Sequence, residues 1–379
     1  MIDTTTSGFR VAIVGPSRFG IGEPYAGGLE AHTAGLVGIL HERGHHLRVF
    51  AGPEGDIHGL PVGVTPIVAR TFDHLFTGRR DTSHPAGFCR HESDRYRTLV
   101  DGLRRCPDID VVHNNSLHPA VVDGDPGDGS FVHVLHCPPF PKLRAAHRRL
   151  RERSRGRHVI AVSKALASLW DGVATDVIGN GIDLDTWLDR SPGPRAGAVW
   201  AGRIVEEKAP HLAIRAARLA GLPIRLAGPI GDHRYFDRLV RPELGADAVW
   251  LGSLGAADLS RVFRSARVGV VSPMWDEPFC LVAAEMLASG TPVAAFDRGG
   301  LAEFVRPDVG ALARPGDTHS LADAVRRAAA IDPSTCTEFS RRHLSSLAMV
   351  DGYEAVYEQA ARRHGRSDDA ALAESRATA

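Results

Sequence analysis

Short apolar segments alternate with helix-like segments along nearly the whole chain, and this alternation limits the fold more than any other feature of the sequence. The first apolar segment, residues 9–15, is followed from about Gly28 by apolar residues at helical spacing, and Gly44 ends that helix-like segment. Strands that alternate with helices predict βαβ units and parallel sheets. The predicted strands are 9–15, 46–51, 109–113, 131–136, 158–163, 198–202, 224–228, 248–252, 268–273 and 293–296.

The alternation is interrupted once, at residues 189–197, which are rich in proline, glycine and charge and indicate an interdomain linker. We therefore predict an α/β protein with two Rossmann-like, doubly wound parallel-sheet domains that face a central cleft. Ligands of such sheets bind at the carboxyl ends of the strands, so we expect one site made from both domains. The predicted parts are an N-terminal acceptor-side domain (1–188), the linker (189–197), a C-terminal donor-side domain (198–345), a helix that can pack back on the N-terminal domain (346–364) and a flexible tail (365–379).

Composition and charge argue against several classes of protein. Lysine plus arginine equals aspartate plus glutamate at 45 each, so no overall charge favours nucleic acid or a membrane surface. The five cysteines form no C-x-x-C pair, which argues against a disulfide framework or a structural zinc site. We see neither a signal peptide nor an apolar stretch of membrane-spanning length, and expect a cytoplasmic protein without integral membrane association.

A basic stretch between Arg144 and Arg157 is the main local departure from this balance. It contains seven arginines: Arg144, Arg148, Arg149, Arg151, Arg153, Arg155 and Arg157. The pattern favours the solvated face of a surface helix. The alternative is a patch for an anionic acceptor or an anionic membrane surface.

Two cations and two carboxylates carry the main chemical signal. Arg203 and Lys208 fall between a predicted strand and a predicted helix, where they can bind a diphosphate or simply be exposed loop charges. Glu277 precedes a predicted helix at 279–289, and Glu285 lies within that helix among apolar residues. A carboxylate there needs a partner, either ribose hydroxyls or a buried salt bridge. The helix start offers free backbone N–H groups to a phosphate, at Phe279, Cys280 and Leu281.

Gly27 and Gly28 stand at the start of the first predicted helix and permit close approach of a ligand to the backbone, although a flexible loop is the simpler interpretation.

Other nucleotide-binding and metal-binding motifs are incomplete or do not fit their context. Ile21 replaces the lysine of a P-loop, and Tyr25 replaces the third glycine of a G-x-G-x-x-G. Asp123 and Asp125 form an Asp-x-Asp in a segment that favours a surface loop. The histidines from His113 to His136 lack zinc-site spacing, and we expect His113 at a strand end near the cleft.

Six motifs in register resemble the family-4 group of retaining GT-B glycosyltransferases. They are Gly-Gly-x-Glu at 27–30, Val-Ser-Lys at 162–164, Gly-Asn-Gly-Ile-Asp at 179–183, Ala-Gly-Arg through Glu-Lys-Ala at 201–209, Glu-Pro-Phe through Glu at 277–285, and Gly-Gly-x-x-Glu at 299–303. The resemblance covers roughly residues 9–310 and implies the GT-B fold and a nucleotide-sugar donor.

The resemblance also implies a role for each matching residue. Arg203 and Lys208 would hold the donor pyrophosphate, Glu285 the ribose, and Glu277 and His136 the donor sugar. The amide of Gly28 would approach the β-phosphate. The remaining substrate-binding residues would be Gly27, Asn180, Leu251, Leu254, Phe279, Cys280 and Leu281, with Leu251 to Leu254 near the base. Cys280 departs from the family, which usually has glycine there; its side chain can narrow the phosphate or sugar pocket.

The expected activity is transfer of a sugar to a hydroxyl of a small hydrophilic acceptor. Cations and a helix N-terminus can stabilise the leaving diphosphate, so we expect no metal and no cofactor besides the nucleotide-sugar co-substrate. The resemblance implies retention, with the leaving phosphate accepting the acceptor's proton. UDP is the expected nucleotide, with GDP and ADP open, and the sequence does not fix the oligomeric state. The alternatives are another GT-B enzyme, such as an epimerase or a sugar phosphorylase, and a silent nucleotide-sugar-binding module.

Overall fold

Two parallel β-sheets organise the chain in the computed structural model, which describes residues 8–23, 25–53, 57, 60–68, 86–189 and 193–377, with backbone only for 86 and 363–377. Within these ranges one sheet has seven strands and the other has six. Each sheet is formed by one half of the chain, so the predicted pair of doubly wound α/β domains is confirmed.

The first sheet is built from β1 (Arg10–Val14), β2 (His46–Ala51), β3 (Val64–Pro66), β4 (Val111–Asn114), β5 (Phe131–Leu135), β6 (His158–Ala161) and β7 (Asp176–Val177). Its order is β3-β2-β1-β4-β5-β6-β7, so the winding direction reverses between β1 and β4. The central strands are almost wholly apolar because helices cover them, and Val11 to Val14 are fully buried. The helices of this half are α1 (Gly28–Glu42), α2 (Ala86–Leu103), α3 (Pro119–Asp123), α4 (Pro141–Arg153), α5 (Lys164–Leu169) and α6 (Leu184–Trp187).

The second sheet repeats this arrangement with β8 (Ala198–Ala201), β9 (Ile224–Ala227), β10 (Ala248–Trp250), β11 (Val268–Val271), β12 (Val293–Phe296) and β13 (Gly310–Ala313). Its order is β10-β9-β8-β11-β12-β13, so the reversal lies between β8 and β11. A crevice opens at such a reversal, beyond the carboxyl ends of the strands. The helices are α7 (Pro210–Leu219), α8 (His233–Tyr235), α9 (Ala256–Ser265), α10 (Leu281–Ala288), α11 (Leu301–Phe304), α12 (Thr318–Ala329), α13 (Pro333–His343) and α14 (Ser346–Ala377).

All ten predicted strands are present, with ends that differ by at most a few residues. The prediction misses β3, β7 and β13, which are short or carry few β-branched residues. The helical segment after β9 is irregular: α8 is followed by a π-helical turn at Phe236–Val240 and a 3-10 turn at Arg241–Glu243.

The last residues of the predicted N-terminal domain (1–188) contact the C-terminal domain. Helix α6 packs on α9 and α10, and Trp187 stacks on Phe263 with ring centroids 5.8 Å apart. The chain crosses between the sheets near Ile182, whose N–H donates to the carbonyl of Leu344 at 2.8 Å, so the forward and return crossings lie side by side. The apolar residues of α6 hold the segment after Ile182 on the C-terminal domain.

The predicted linker is anchored where the structure describes it. Arg195 and Asp189 form an ion pair at 2.6 Å, and each side chain is only 4% exposed. Arg195 also donates to the carbonyl of Ser289 at 2.8 Å and to the hydroxyl of Thr291 at 3.0 Å. The pattern of proline and glycine gave no sign that this arginine is buried against the C-terminal domain.

Helix α14 returns to the first domain and packs on α1, β4 and β5. Its residues Tyr353 and Tyr357 are fully buried there. The helix continues to Ala377, beyond the predicted end at 364 and through the segment predicted as a flexible tail. Alanine, glutamate and arginine in residues 366–377 are strong helix formers, which explains the extension.

Candidate functional site

The winding reversals of the two sheets are joined by a direct contact between α1 and α10. A Cβ atom added to Gly28 would lie 3.2 Å from Cδ1 of Leu281, so the start of α1 contacts the start of α10. Gly27 precedes the helix in an extended conformation. A larger residue at Gly28 would require the Leu281 side chain to shift by a few tenths of an ångström, so glycine suits this close approach of the two helix starts.

Lys208 lies at the reversal of the second sheet, at the end of a 3-10 turn formed by Glu206–Lys208. The hydroxyl of Ser272, just after β11, lies 2.9 Å from the carbonyl oxygen of Lys208 and 3.0 Å from that of Ala209. Ala209 has a left-handed backbone with φ +41°. These contacts with β11 hold the strained loop, and they fix the position of the lysine.

The Lys208 ammonium forms an ion pair with the buried carboxylate of Glu277. The same Glu277 oxygen accepts a hydrogen bond from the indole N–H of Trp275 at 2.9 Å, and the ammonium lies 5.3 Å from the centre of that ring. Burial lowers the pKa of Lys208, but Glu277, through its charge and its hydrogen bond, and Cys280 together outweigh it, and the net pKa is raised. Lys208 is therefore a permanent cation beside a fixed carboxylate.

Arg203 adds a second cation after β8, and its side chain is 29% exposed. It lies 3.6 Å from a carboxylate oxygen of Glu207. Burial raises the pKa of Glu30 on α1, and the charge of Arg203 opposes that rise, so the arginine acts electrostatically across the domain boundary.

Helix α10 begins at Leu281, two residues later than predicted, with Cys280 as its N-cap. Phe279 lies before the helix and stacks on Phe304 with ring centroids 5.0 Å apart. Among the described residues, no acceptor binds the backbone N–H groups of Cys280, Leu281 or Val282. The start of α10 therefore presents free donors beside Lys208, as an anion site requires.

Cys280 has φ +83° and ψ +72°, a left-handed conformation that favours glycine. Its thiol is buried, and burial is the main cause of its raised pKa, with the charges of Glu277 and Lys208 acting on it in opposite directions. The backbone at this position thus explains why glycine is usual, and the side chain faces the charged groups of the site.

Glu285 lies inside α10 with part of its surface open to the cleft. Burial raises the pKa of its carboxyl group to about 7. In the part of the chain that the structure describes, no hydrogen bond or ion pair reaches this side chain, so the salt-bridge alternative has no partner there.

The Gly-Gly-x-x-Glu motif at 299–303 packs against the backbone of the loop that contains Glu277. A Cβ atom on Gly299, where φ is +58°, would lie 2.1 Å from the carbonyl oxygen of Glu277, and Gly300 N–H donates to that oxygen at 2.7 Å. Glu303 then reaches the other domain, where its carboxylate accepts from the N–H groups of Lys164 at 3.1 Å and Ala165 at 2.7 Å. The motif therefore links Glu277 to the start of α5.

The remaining predicted residues of the C-terminal side lie farther along the cleft. Leu251 follows β10, and its N–H donates to the carbonyl of Leu226 at 2.8 Å, while Leu254 packs on the apolar core. Asn180 is 7% exposed, and its side-chain oxygen has no partner among the described residues. It follows Gly179, which lies beside the Phe279 ring.

His136 lies at the carboxyl end of β5, on the N-terminal side of the cleft. Its Nε2 is 2.9 Å from Oδ1 of Asn115, and its ring packs edge-on against His32 at 4.7 Å between centroids. Burial holds the pKa of His136 well below its ordinary value and lowers that of His32 to about 4, so both rings stay neutral.

His113 is not at a cleft edge, which corrects the prediction. It is fully buried within β4, where its Nδ1 is 2.7 Å from the hydroxyl of Tyr357. Asn115, immediately after β4, was missed, although an asparagine at the carboxyl end of a central strand is a signal that sequence reasoning can use. Half of the segment 52–95, namely residues 54–56, 58–59 and 69–85, lies outside the described residues.

The aspartates and arginines set aside earlier have structural partners. Asp123 binds Arg149 at 2.8 Å, and Asp125 binds His133 at 3.0 Å. Arg153 donates to the carbonyl of Val122 at 2.8 Å at the end of α3. These contacts favour the surface-helix interpretation of the basic stretch over a patch for an anionic ligand.

The described residues contain no cluster of three or more histidine, cysteine, aspartate or glutamate side chains that could hold a metal ion. They also include no helix long and apolar enough to cross a membrane.

Two family models match the chain: Glycosyltransferase Family 4 over residues 26–186 and Glycosyl transferases group 1 over residues 190–343. The D-inositol 3-phosphate glycosyltransferase of Mycolicibacterium smegmatis is 28% identical over 401 aligned residues, spanning 93% of this chain and 91% of the relative. A protein of the same name from Mycobacterium bovis is 37% identical over 176 residues, which cover 41% of this chain and 36% of the relative.

Solved structures agree with this fold. AviGT4, a glycosyltransferase involved in avilamycin A biosynthesis, has a TM-score of 0.67 and 23% identity, covering 93% of this chain and 98% of its own. HepE of Anabaena, solved in complex with UDP and glucose, has a TM-score of 0.68 and 19% identity, covering 92% and 99%. At these identities the likeness shows the fold.

Proposed function

Because this chain belongs to the family-4 glycosyltransferases of the GT-B fold, we propose that it transfers a sugar from a UDP-sugar to a hydroxyl of a small hydrophilic acceptor, with retention and without a metal ion. One observation carries the proposal. Lys208, the buried carboxylate of Glu277 and the free N–H groups at the start of α10 converge at the winding reversal of the second sheet.

The diphosphate binds where positive charge converges. Breaking the bond between the sugar and the diphosphate leaves negative charge on the phosphate oxygens. Lys208, Arg203 and the N–H groups of Leu281 and Val282 stabilise that charge without reorganising, because they are already fixed. Three such sources of positive potential can replace a divalent cation, which is the basis for proposing metal independence.

Glu285 receives the ribose. Its carboxylate has no partner among the described residues and opens on the cleft, so two ribose hydroxyls can donate to it. The base then lies along the loop that contains Leu251 and Leu254. UDP is proposed as the nucleotide because HepE, which shares the fold, binds UDP.

Glu277 and His136 approach the sugar from opposite domains. Glu277 is oriented by Lys208 and Trp275, so a sugar hydroxyl finds an acceptor in a fixed direction. Lys208 also binds the diphosphate, so it fixes the position of the leaving group relative to the sugar.

Retention is proposed because Glu277 is already engaged by Lys208 and Trp275 and is poorly suited to act as a general base. The leaving phosphate oxygen is then the proton acceptor for the incoming hydroxyl, on the face that the phosphate leaves. The acceptor oxygen forms a bond to the anomeric carbon while the bond between that carbon and the phosphate oxygen breaks. The acceptor's proton passes to the same phosphate oxygen.

D-Inositol 3-phosphate is the first acceptor to test, because it appears in the name of a relative that aligns with this chain over 91% of the relative's length. The test has two stages. UDP, GDP and ADP are compared by thermal shift, and then UDP-glucose, UDP-galactose and UDP-N-acetylglucosamine are incubated with acceptors in EDTA, with product anomers read by NMR.

A shift with UDP and an α-linked product from an α-linked donor, formed in EDTA, is the expected result. A product of inverted configuration would refute retention, and loss of turnover in EDTA would refute metal independence. Binding of UDP-sugars without any turnover would favour a silent binding module. No response to any nucleotide would point to a phosphorylase-like reaction.

A further inference from the structure

Four side chains connect helix α14 to His136 through a buried chain of hydrogen bonds. The Tyr357 hydroxyl is 2.7 Å from Nδ1 of His113. Nε2 of His113 is 3.1 Å from Oδ1 of Asn115, and the same oxygen is 2.9 Å from Nε2 of His136. Tyr357, His113 and Asn115 are fully buried, so water does not replace these hydrogen bonds.

Thr33 favours one direction for the hydrogen bonds in this chain. Its hydroxyl donates its one proton to the carbonyl of Leu29 at 2.8 Å, so toward Asn115, 3.3 Å away, it can only accept. The atom of Asn115 that faces Thr33 is therefore the amide nitrogen. The carbonyl oxygen Oδ1 then faces both histidines and must accept from both.

Both histidines consequently carry their proton on Nε2. For His113 this leaves Nδ1 as an acceptor, and the Tyr357 hydroxyl donates to it. For His136 it leaves Nδ1 as an acceptor that has no partner among the described residues. Burial lowers the pKa of His113 to about 3 and that of His136 well below its ordinary value, so neither ring gains a second proton near neutral pH.

We propose that Tyr357 of helix α14 is a positioning residue that, through His113 and Asn115, holds His136 with Nδ1 as a hydrogen-bond acceptor for a hydroxyl of the donor sugar. This inference rests on the proposed function, because it takes the ligand of His136 to be the sugar of a nucleotide sugar. It adds that a helix outside both Rossmann-like sheets determines which hydrogen-bonding role His136 has.

Tyr353 provides a matched control one helical turn away. It is fully buried on the same helix, and its ring packs edge-on against His113 at 5.0 Å, as Tyr357 does at 5.8 Å. Its hydroxyl, however, has no hydrogen-bond partner among the described residues. Tyr353→Phe and Tyr357→Phe remove the same atom from the same surroundings, and only the second breaks the chain.

The first readout needs no ligand. In protein labelled with ¹⁵N-histidine, long-range ¹H–¹⁵N spectra distinguish the two neutral tautomers of each ring. We expect the Nε2–H form for His113 and His136 in the wild type and in Tyr353→Phe. In Tyr357→Phe, the signals of both rings should move toward a mixture of tautomers, because Nδ1 of His113 has lost its donor and, among the described residues, only the 3.3 Å contact with Thr33 then orients the Asn115 amide.

The second readout isolates the sugar. Calorimetric affinities for UDP and for the best-binding of UDP-glucose, UDP-galactose and UDP-N-acetylglucosamine give a ratio that reports sugar contacts alone. Tyr357→Phe should lower that ratio about three- to tenfold, the effect of about one hydrogen bond, while the affinity for UDP stays unchanged. Tyr353→Phe should change neither affinity.

Thr33→Val is a second variant, should Tyr357→Phe fold poorly. It removes the contact that orients the Asn115 amide, so it should shift the His136 tautomer in the same direction. An unchanged His136 tautomer in a folded Tyr357→Phe would overturn the proposal, as would an Nδ1–H form in the wild type; Thr33→Val decides where Tyr357→Phe does not fold. If no UDP-sugar binds the wild type, the proposed function fails, while the tautomer result still decides the role of Tyr357.

Discussion

The binding of a UDP-sugar should depend on pH through Glu285 alone, and this dependence can be predicted in sign and size. Burial raises the pKa of Glu285 to about 7. Ribose hydroxyls donate hydrogen bonds, so they bind the ionised carboxylate and not the protonated acid. Affinity should therefore rise with pH as the carboxyl group loses its proton.

The magnitude follows from the titration. A group with a pKa of about 7 is ionised to roughly one-tenth at pH 6 and to about nine-tenths at pH 8, so the affinity should increase about tenfold between these values. The diphosphate diester of UDP-glucose does not titrate in this range. Burial lowers the pKa of His32 and of His118 to about 4 each, and neither should contribute.

Isothermal titration calorimetry of UDP-glucose at pH 6, 7 and 8 measures this directly, with Glu285→Gln as the isosteric control. The variant should bind more weakly at pH 8 and show no dependence on pH. In buffers of different ionisation enthalpy, the wild type should release close to one proton on binding at pH 6, and the variant none.

The unliganded fold should respond with the opposite sign. Because the folded pKa of Glu285 is raised above its value in the unfolded chain, stability is lost as pH rises from about 4.5 to about 7. Glu285→Gln should remove that loss and raise the melting temperature at pH 8. A wild-type affinity that is flat with pH, or a variant that keeps the tenfold change, would refute the assignment of Glu285.

Three further substitutions test other parts of the structure. Lys208→Met should lower kcat at least about a hundredfold by removing charge from the leaving group, with an unchanged circular dichroism spectrum; near-normal turnover would contradict the phosphate role. Cys280→Gly should exceed Cys280→Ala in stability by about 1 kcal/mol in urea, because only glycine relieves the positive φ; equal values would mean no strain. Arg195→Met should cost about 3–5 kcal/mol by removing the buried cation that pairs with Asp189, whereas a cost below about 1 kcal/mol would show that the linker is not anchored there.

Sequence reasoning located the elements that follow from local periodicity. The alternation of apolar runs placed the central strands, and the loop after each strand placed Arg203 and Lys208. The motifs also placed Glu277 in the same predicted site as the lysine, with which it forms an ion pair. These features depend on chain neighbours and on one well-defined architecture, so a single sequence contains the necessary information.

Contacts between distant segments were not predictable in the same way. The burial of Arg195 depends on carbonyl groups near residues 263 and 289, which no local pattern reveals. The left-handed backbone of Cys280 is invisible in the sequence, although the family's usual glycine hinted at it. The pairing of Tyr357 with His113 joins positions 244 residues apart and follows only from the return of α14.

That return has a consequence for how the protein is made. The interior of the domain that leaves the ribosome first includes side chains of α14, since Val350, Tyr353, Val356 and Tyr357 are all buried in it. At about 5–20 residues per second, a ribosome needs roughly 10–50 s to add the 244 residues between His113 and Tyr357. During that interval the nascent domain exposes an apolar groove and uncovered histidines. Its biosynthesis is therefore a period in which chaperone protection matters, and it ends only when the last helix emerges.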